Sequence, residues 1–369
     1  MGTGFRKRPG TNKPVPYFSH EFVIQNHGDI ATCLCMVFIV GLMFQTTTPL
    51  ASAFIAPKHN VTELDQAVVL YTYGPKDVCL LFFYTIAAII FHAIVQEYVL
   101  DKLMRRVRLS KTKANKFNES GQLLSFYVLS SMWALSIFKD EGYFKSLSFF
   151  WAEYPHLGLT FMTKFFFIIQ MSYWTHTLPE LYLQKVKREE MSAKILFASL
   201  NFTMSALIYL LNFSRIGITL LFIDHVINVL FHFSRLMHFS GKNKVARNCF
   251  RIYNVLFVFA RLAAIFLSIF VFWFGLRNSS VDSVNFEEKN FNTPVVRTTS
   301  LVVILLVQAW MMWNFVLFQF KKLRENSKTS SSKTAIRPNQ KKQRLVKESS
   351  DTDGDPREET SDSEKVKSS

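Results

Sequence analysis

The chain has 369 residues, with 43 Lys and Arg against 27 Asp and Glu, a formal charge of +16. Its 49% hydrophobic share is ordinary for a soluble protein, so bulk composition alone excludes little. The patterning excludes more: charged residues avoid long apolar stretches rich in the chain's 38 Phe, which rules out a soluble globular domain and a small disulfide scaffold.

Residues 1–29 read as a cytosolic N-terminal segment carrying Arg6, Lys7, Arg8 and Lys13. Ser19 is placed to cap a short amphipathic helix, with Glu21 in its first turn and Phe18, Phe22 and Val23 on one side, expected on the cytosolic membrane surface. Apolar stretches follow near 30–48, 78–98, 122–138, 160–178, 194–211, 217–238, 252–276 and 296–318. A spanning helix needs about 20 such residues. Period-2 alternation is absent, and in hydrocarbon the backbone must bond to itself, so each stretch is expected to be a helix.

Lys and Arg crowd alternate connectors. The segment after the second stretch holds Lys102, Arg105, Arg106, Arg108, Lys111, Lys113 and Lys116, whereas the connector before that stretch holds only Lys58 and Lys76. Basic residues are retained on the cytosolic side. The fold predicted is an all-α polytopic membrane protein with eight transmembrane helices and both termini cytosolic. The same charge pattern accounts for the basic balance as topology and contact with anionic headgroups. A docked ribosome would feel this field, and no specific nucleic-acid recognition is expected.

Ala51-Ser52-Ala53 resembles a signal-peptidase site, but the long polar segment before the first stretch favours a retained span. Asn60-Val61-Thr62 is a glycosylation acceptor in the first non-cytosolic loop, so Asn60 is the expected glycosylated site. The matches at Asn118, Asn201, Asn212 and Asn278 fall in cytosolic, intramembrane or membrane-hugging sequence. Cys33, Cys35, Cys79 and Cys249 lie in or beside apolar stretches and read as packed thiols; no metal or cofactor site is expected.

The sixth stretch is interrupted by Asp224, His225, Asn228, His232 and Arg235, four of which advance along one helical face. Arg261 in the seventh lies at similar depth. Ionisable groups in a bilayer need a partner, so an intramembrane polar seam is expected, with Arg261 paired to Asp224. A packing seam and a functional cavity both fit this pattern. No catalytic residue is assigned: the Gly-rich phosphate loop, nucleophile elbow and HExxH pattern are missing.

From residue 327 the composition becomes that of a disordered cytosolic tail. Ser349, Ser350, Ser361 and Ser363 precede acidic residues and suit an acid-directed kinase; an unmodified solvated tail is the other reading. Lys365 and Lys367 stand five and three places from the C-terminus, a variant of the dilysine retrieval signal.

Several strings in polar sequence have no origin in hydrophobicity alone: residues 20–27 (HEFVIQNH), 71–77 (YTYGPKD), 96–102 (QEYVLDK), 116–122 (KFNESGQ), 178–182 (LPELY) and 308–313 (QAWMMW). They closely resemble the translocating chain-associated membrane proteins, within the TRAM/LAG/CLN (TLC) domain superfamily. The resemblance implies a multi-pass endoplasmic-reticulum protein beside the Sec protein-conducting channel, contacting nascent signal sequences and transmembrane segments and membrane lipids. It divides the chain into residues 1–29, two spans and a basic loop over 30–116, a TLC-like six-helix domain over 117–326, and a tail over 327–369. The rival it leaves is a TLC-type lipid-binding or acyl-transferring enzyme. The His-His pair of such enzymes is not present where expected, at Ile195-Leu196-Phe197-Ala198-Ser199, and Asn228 stands where relatives often carry an acid. The function expected is therefore a non-enzymatic translocation accessory factor.

Overall fold

A computed structural model describes residues 19–62, 68–107, 109–183, 186 and 188–334. The chain falls into two compact units, Met1–Leu301 and Val302–Ser369. Helices dominate the first unit. In the second, the described residues continue the helix Pro294–Thr334, which begins in the first. The expected six-helix stretch 117–326 therefore ends inside a helix that crosses the unit division.

Helix α1 (His20–Gly41) starts at Ser19, whose hydroxyl accepts from the Phe22 amide at 3.2 Å. The short surface helix and the first span expected as separate pieces are one helix, bent at Asn26 (φ −118, ψ 21). There the Asn26 side chain donates to the Phe22 carbonyl at 2.9 Å, a local bond that competes with the helical ladder. The first span was expected to run to residue 48, yet α1 ends at Gly41 and α2 (Thr48–Ile55) begins anew. Pro49 explains the break: it starts helices well and lacks the N–H needed to continue one. The hydroxyls of Thr47 and Thr48 turn back to the carbonyls of Gly41 and Leu42 at 2.7 and 3.0 Å.

Helix α3 (Asp77–Ile94) passes through a π-turn (Val95–Leu100) into α4 (Asp101–Val107). Helix α5 (Lys111–Glu141) stops at Gly142, whose φ of 75° is a left-handed cap that glycine adopts without strain. Then come α6 (Phe161–Leu183), α7 (Arg188–Leu210), α8 (Ser214–Phe239) and α9 (Asn243–Ser268), the last continuing as a π-turn (Ile269–Gly275) before α10 (Pro294–Thr334). Two-residue strands β1 (Leu70–Tyr71) and β2 (Leu159–Thr160) pair antiparallel, Leu70 opposite Thr160, and tie the connector before α3 to the one before α6.

Among the described residues, seven helices are long and apolar enough to cross a membrane, which establishes a polytopic α-helical membrane protein. Helix α6, expected as the fourth span, is not among them. It is long enough at 23 residues, but Lys164, Gln170, His176 and Glu180 lower its apolarity. It packs between α3 and α7, and Lys164, Phe167 and Ile168 are fully buried. A helix surrounded by protein places polar groups against partners rather than lipid. The outer helices do the opposite: Val37, Leu50, Leu196 and Phe259 are exposed, as lipid-facing side chains should be.

Candidate functional site

The expected seam divides in two. On the α8–α9 side, Arg261 Nη2 donates to Asp224 Oδ1 at 2.9 Å, and Asn228 Nδ2 donates to Asp224 Oδ2 at 2.7 Å and to its carbonyl at 3.0 Å. The Arg261 guanidinium also lies over the Phe257 ring, 5.1 Å from its centroid. Arg261 is 2% exposed while the Asp224 side chain is 29% exposed, so the acid forms the open edge of the pair.

On the α5–α8 side, His225 and His232 are buried against Tyr127, with ring centroids 5.2 and 5.6 Å away. Phe126 flanks His225 at 5.8 Å. About two turns separate the histidines along the face, and both rings pack toward Tyr127 on α5. Arg235 sits beyond both groups, over Phe231 and Phe239 at 5.7 Å each. The structure thus joins Asp224, Asn228 and Arg261, while the two histidine rings pack against Tyr127.

Two polar nodes escaped sequence reasoning. At one end of the bundle, the fully buried Lys164 ammonium contacts Asp77 Oδ1 at 2.7 Å and donates to the carbonyls of Lys58 and Thr72 at 3.0 and 2.8 Å. Asp77 Oδ2 accepts from the Tyr209 hydroxyl at 2.8 Å and from the Gly74 amide at 3.0 Å. Lys289 reaches the same loop, donating to Thr72 Oγ1 at 2.8 Å and to the Tyr73 carbonyl at 2.9 Å. Burial first, then repulsion from Lys164, holds the Lys289 pKa below its ordinary value.

At the other end, Glu180 faces His92 Nδ1 at 3.0 Å and His27 Nε2 at 3.9 Å, and the His176 ring lies 5.7 Å from that of His92. Gln122 donates to the His92 carbonyl at 3.0 Å and approaches Gln96 at 3.4 Å. His20 and Tyr182 bond beside this node. Four of the strings that carried the family resemblance, over residues 20–27, 96–102, 116–122 and 178–182, therefore converge here. The string over 71–77 forms the opposite node. That signal was present in the sequence, but nothing in a linear string says which others it will meet.

Asn60 is exposed, and its Oδ1 accepts from the Thr62 amide at 2.8 Å and the Thr62 hydroxyl at 2.5 Å. Asn201 is bonded within α7, and Asn212 is buried with its amide on the Lys289 carbonyl at 2.8 Å. Ser120, in the Asn118 sequon, is fully buried. Asn278 is exposed in a turn after α9. The four cysteines are free thiols. No group of three or more His, Cys, Asp or Glu is arranged to hold a metal among the described residues. Ser349, Ser350, Ser361, Ser363, Lys365 and Lys367 lie outside the described residues.

Residues 116–317 match the TLC domain family. Over 334 residues, 90% of this chain and 89% of the relative, the chain is 40% identical to translocating chain-associated membrane protein 2 of Mus musculus. The identity and coverage are the same for the protein of that name from Homo sapiens. A more distant relative is sphingosine N-acyltransferase lag1 of Schizosaccharomyces pombe, 22% identical over 243 residues, 65% of this chain and 60% of that one. The strings that meet around Glu180 and Asp77, the TLC match and this near-complete coverage agree: the chain belongs to the translocating chain-associated membrane protein family.

Proposed function

We propose that this protein is a non-enzymatic accessory factor of protein translocation in the endoplasmic-reticulum membrane. It sits beside the Sec protein-conducting channel and contacts signal sequences and nascent transmembrane segments on their way to the lumen or the lipid. The carrying observation is the 40% identity, across 90% of the chain, to a protein named for association with translocating chains. The helices cross eight times, α6 included, with both termini cytosolic. Lys365 and Lys367 serve as a retrieval address, and the tail serines are kinase sites. The basic cytosolic connectors face anionic lipid and a docked ribosome.

The mechanism is physical. Asp224 and Asn228 present a polar edge between α8 and α9, held in place by buried Arg261. A nascent segment with a few polar residues finds there a partner of intermediate polarity, between the aqueous channel and the hydrocarbon. The apolar outer faces of α1 and α9 receive the rest of it.

A photoreactive residue in place of Asn228, in microsomes carrying a stalled secretory chain, tests this. Crosslinks to the nascent chain and to channel subunits are expected. Probes along α8 and α9 that capture neither would reject the reading. The second reading, a lipid acyltransferase, is favoured by the TLC match and the distant sphingosine N-acyltransferase relative. Acyl transfer from coenzyme A by the purified protein would establish it, and the apolar run Ile195–Ser199 argues against it.

A further inference from the structure

The ends of α5, α6 and α8 and the connector before α6 line an open cavity of about 360 Å³ on the side of the bundle that carries Asn60. Its charged lining is Glu141, the last residue of α5, Glu153 in the following connector, and Arg215 at the start of α8. Buried His156 completes the polar wall. The volume exceeds more than tenfold the ~10–15 Å³ that a single water needs on this measure.

Glu141 and Arg215 are each fixed by their own supports. Glu141 Oε1 accepts from the hydroxyls of Thr160 and Thr163 at 2.8 and 2.6 Å. Arg215 Nη1 donates to the carbonyls of Phe149 and Ala152 at 2.7 and 3.1 Å, and the guanidinium lies 4.1 Å from the centroid of the Phe149 ring. His156 Nε2 bonds the same Ala152 carbonyl at 2.9 Å, and its Nδ1 has no hydrogen-bond partner among the described residues. Yet none of the ion pairs among the described residues joins Arg215 to Glu141 or Glu153.

Opposite charges held around one cavity without touching leave a dipolar space, and a ligand with an anionic and a cationic end satisfies it. The cavity's rim identifies the source. Leu157 on its lining is an exposed apolar side chain, and exposed Phe161 stands between the lining residues Leu159 and Thr163, beside the end of α5 and the start of α8, two helices apolar enough to span a membrane, where lipid headgroups lie. We propose that this cavity binds the zwitterionic headgroup of a phospholipid, with the phosphate at Arg215 and the ammonium group at Glu141 and Glu153.

The test uses the full-length protein, released from mixed vesicles into mild detergent and weighed by native mass spectrometry. The vesicles hold equal amounts of phosphatidylethanolamine, phosphatidylcholine and phosphatidylglycerol, which has a phosphate and no ammonium. The wild type is expected to retain the two zwitterionic lipids at least fivefold over phosphatidylglycerol. Glu141→Gln with Glu153→Gln should abolish that selectivity while leaving the gel-filtration profile unchanged. Glu153→Gln alone, at an exposed position, should weaken it by a smaller factor and serves if the double variant misfolds. Free glycerophosphoethanolamine should compete with the lipid; capture of the free headgroup with no lipid retained would reject a lipid source. Equal retention of all three lipids by the wild type, or selectivity unchanged by these substitutions, would overturn the proposal.

Discussion

Arg261 shows how a single side chain constrains its neighbourhood. It is 2% exposed, and its charge is met by Asp224 at 2.9 Å and the face of Phe257. Arg261→Leu leaves Asp224 with only Asn228 for support. The loss should fall below the ~3–5 kcal/mol of a fully buried broken pair, because Asp224 keeps partial exposure. We expect Arg261→Leu to reduce the yield of folded protein, and Asp224→Leu in the same chain to recover part of it. Fluorescence-detected gel filtration reads both; a double variant no better than the single would show that the pair does not act as a unit. His156 gives a pH prediction. Burial, then the Arg215 charge, lowers its pKa to about 4 from the ordinary 6.5, so the folded protein keeps it neutral. The unfolded chain takes up that proton first as pH falls. The stabilisation is therefore complete above pH 6.5 and is lost between 6.5 and about 4, by about 3 kcal/mol at most. Melting temperatures of wild type and His156→Gln in detergent should converge over that interval; a constant gap would contradict the shift.

At the scale of elements, close approach decides more than hydrophobicity. A Cβ on Gly121 would lie 2.3 Å from Leu100 Cδ2, where the π-turn after α3 meets α5. Leu100 is itself buried and has little room to yield. Gly121→Ala should cost about 1–3 kcal/mol through overpacking, and Leu100→Ala in the same chain should restore part of the melting temperature. A single variant as stable as wild type would show that the contact is loose. The helices themselves were legible in the sequence, because twenty apolar residues in hydrocarbon have few alternatives. Their interruptions were legible only in part. Ser19 marked the start of α1, but the bend at Asn26 depends on a side-chain bond to Phe22 that has no periodic signature. The Asp224–Arg261 pairing could be guessed from depth, whereas the divergence of His225 and His232 toward Tyr127 follows from helix rotation. Lys164 and Glu180 drew no reading as buried partners, since a sequence does not show which helix lies inside.

For the whole molecule, the distribution of charge and the position of the sequon make one prediction together. Asn60 is exposed on a connector whose partner strand lies before α6, and the charge pattern puts that side away from the cytosol. Asn60→Gln should abolish the mobility shift produced by a deglycosidase on protein from microsomes. A residual shift would put another sequon, with Asn278 the exposed candidate, in the lumen.

Helix α6 has a consequence for how the protein is made. With Lys164, Gln170, His176 and Glu180 along its length, it is a poor solute for lipid and would be disfavoured there alone. Its polar side chains find Asp77 and His92 on α3 and Ser130 on α5, and both helices leave the ribosome before it does. The chain is thus ordered so that the shelter precedes the guest, with α3 and α5 made before α6. A translocation accessory factor thus contains an awkward segment of its own, and its synthesis rehearses the problem it exists to solve.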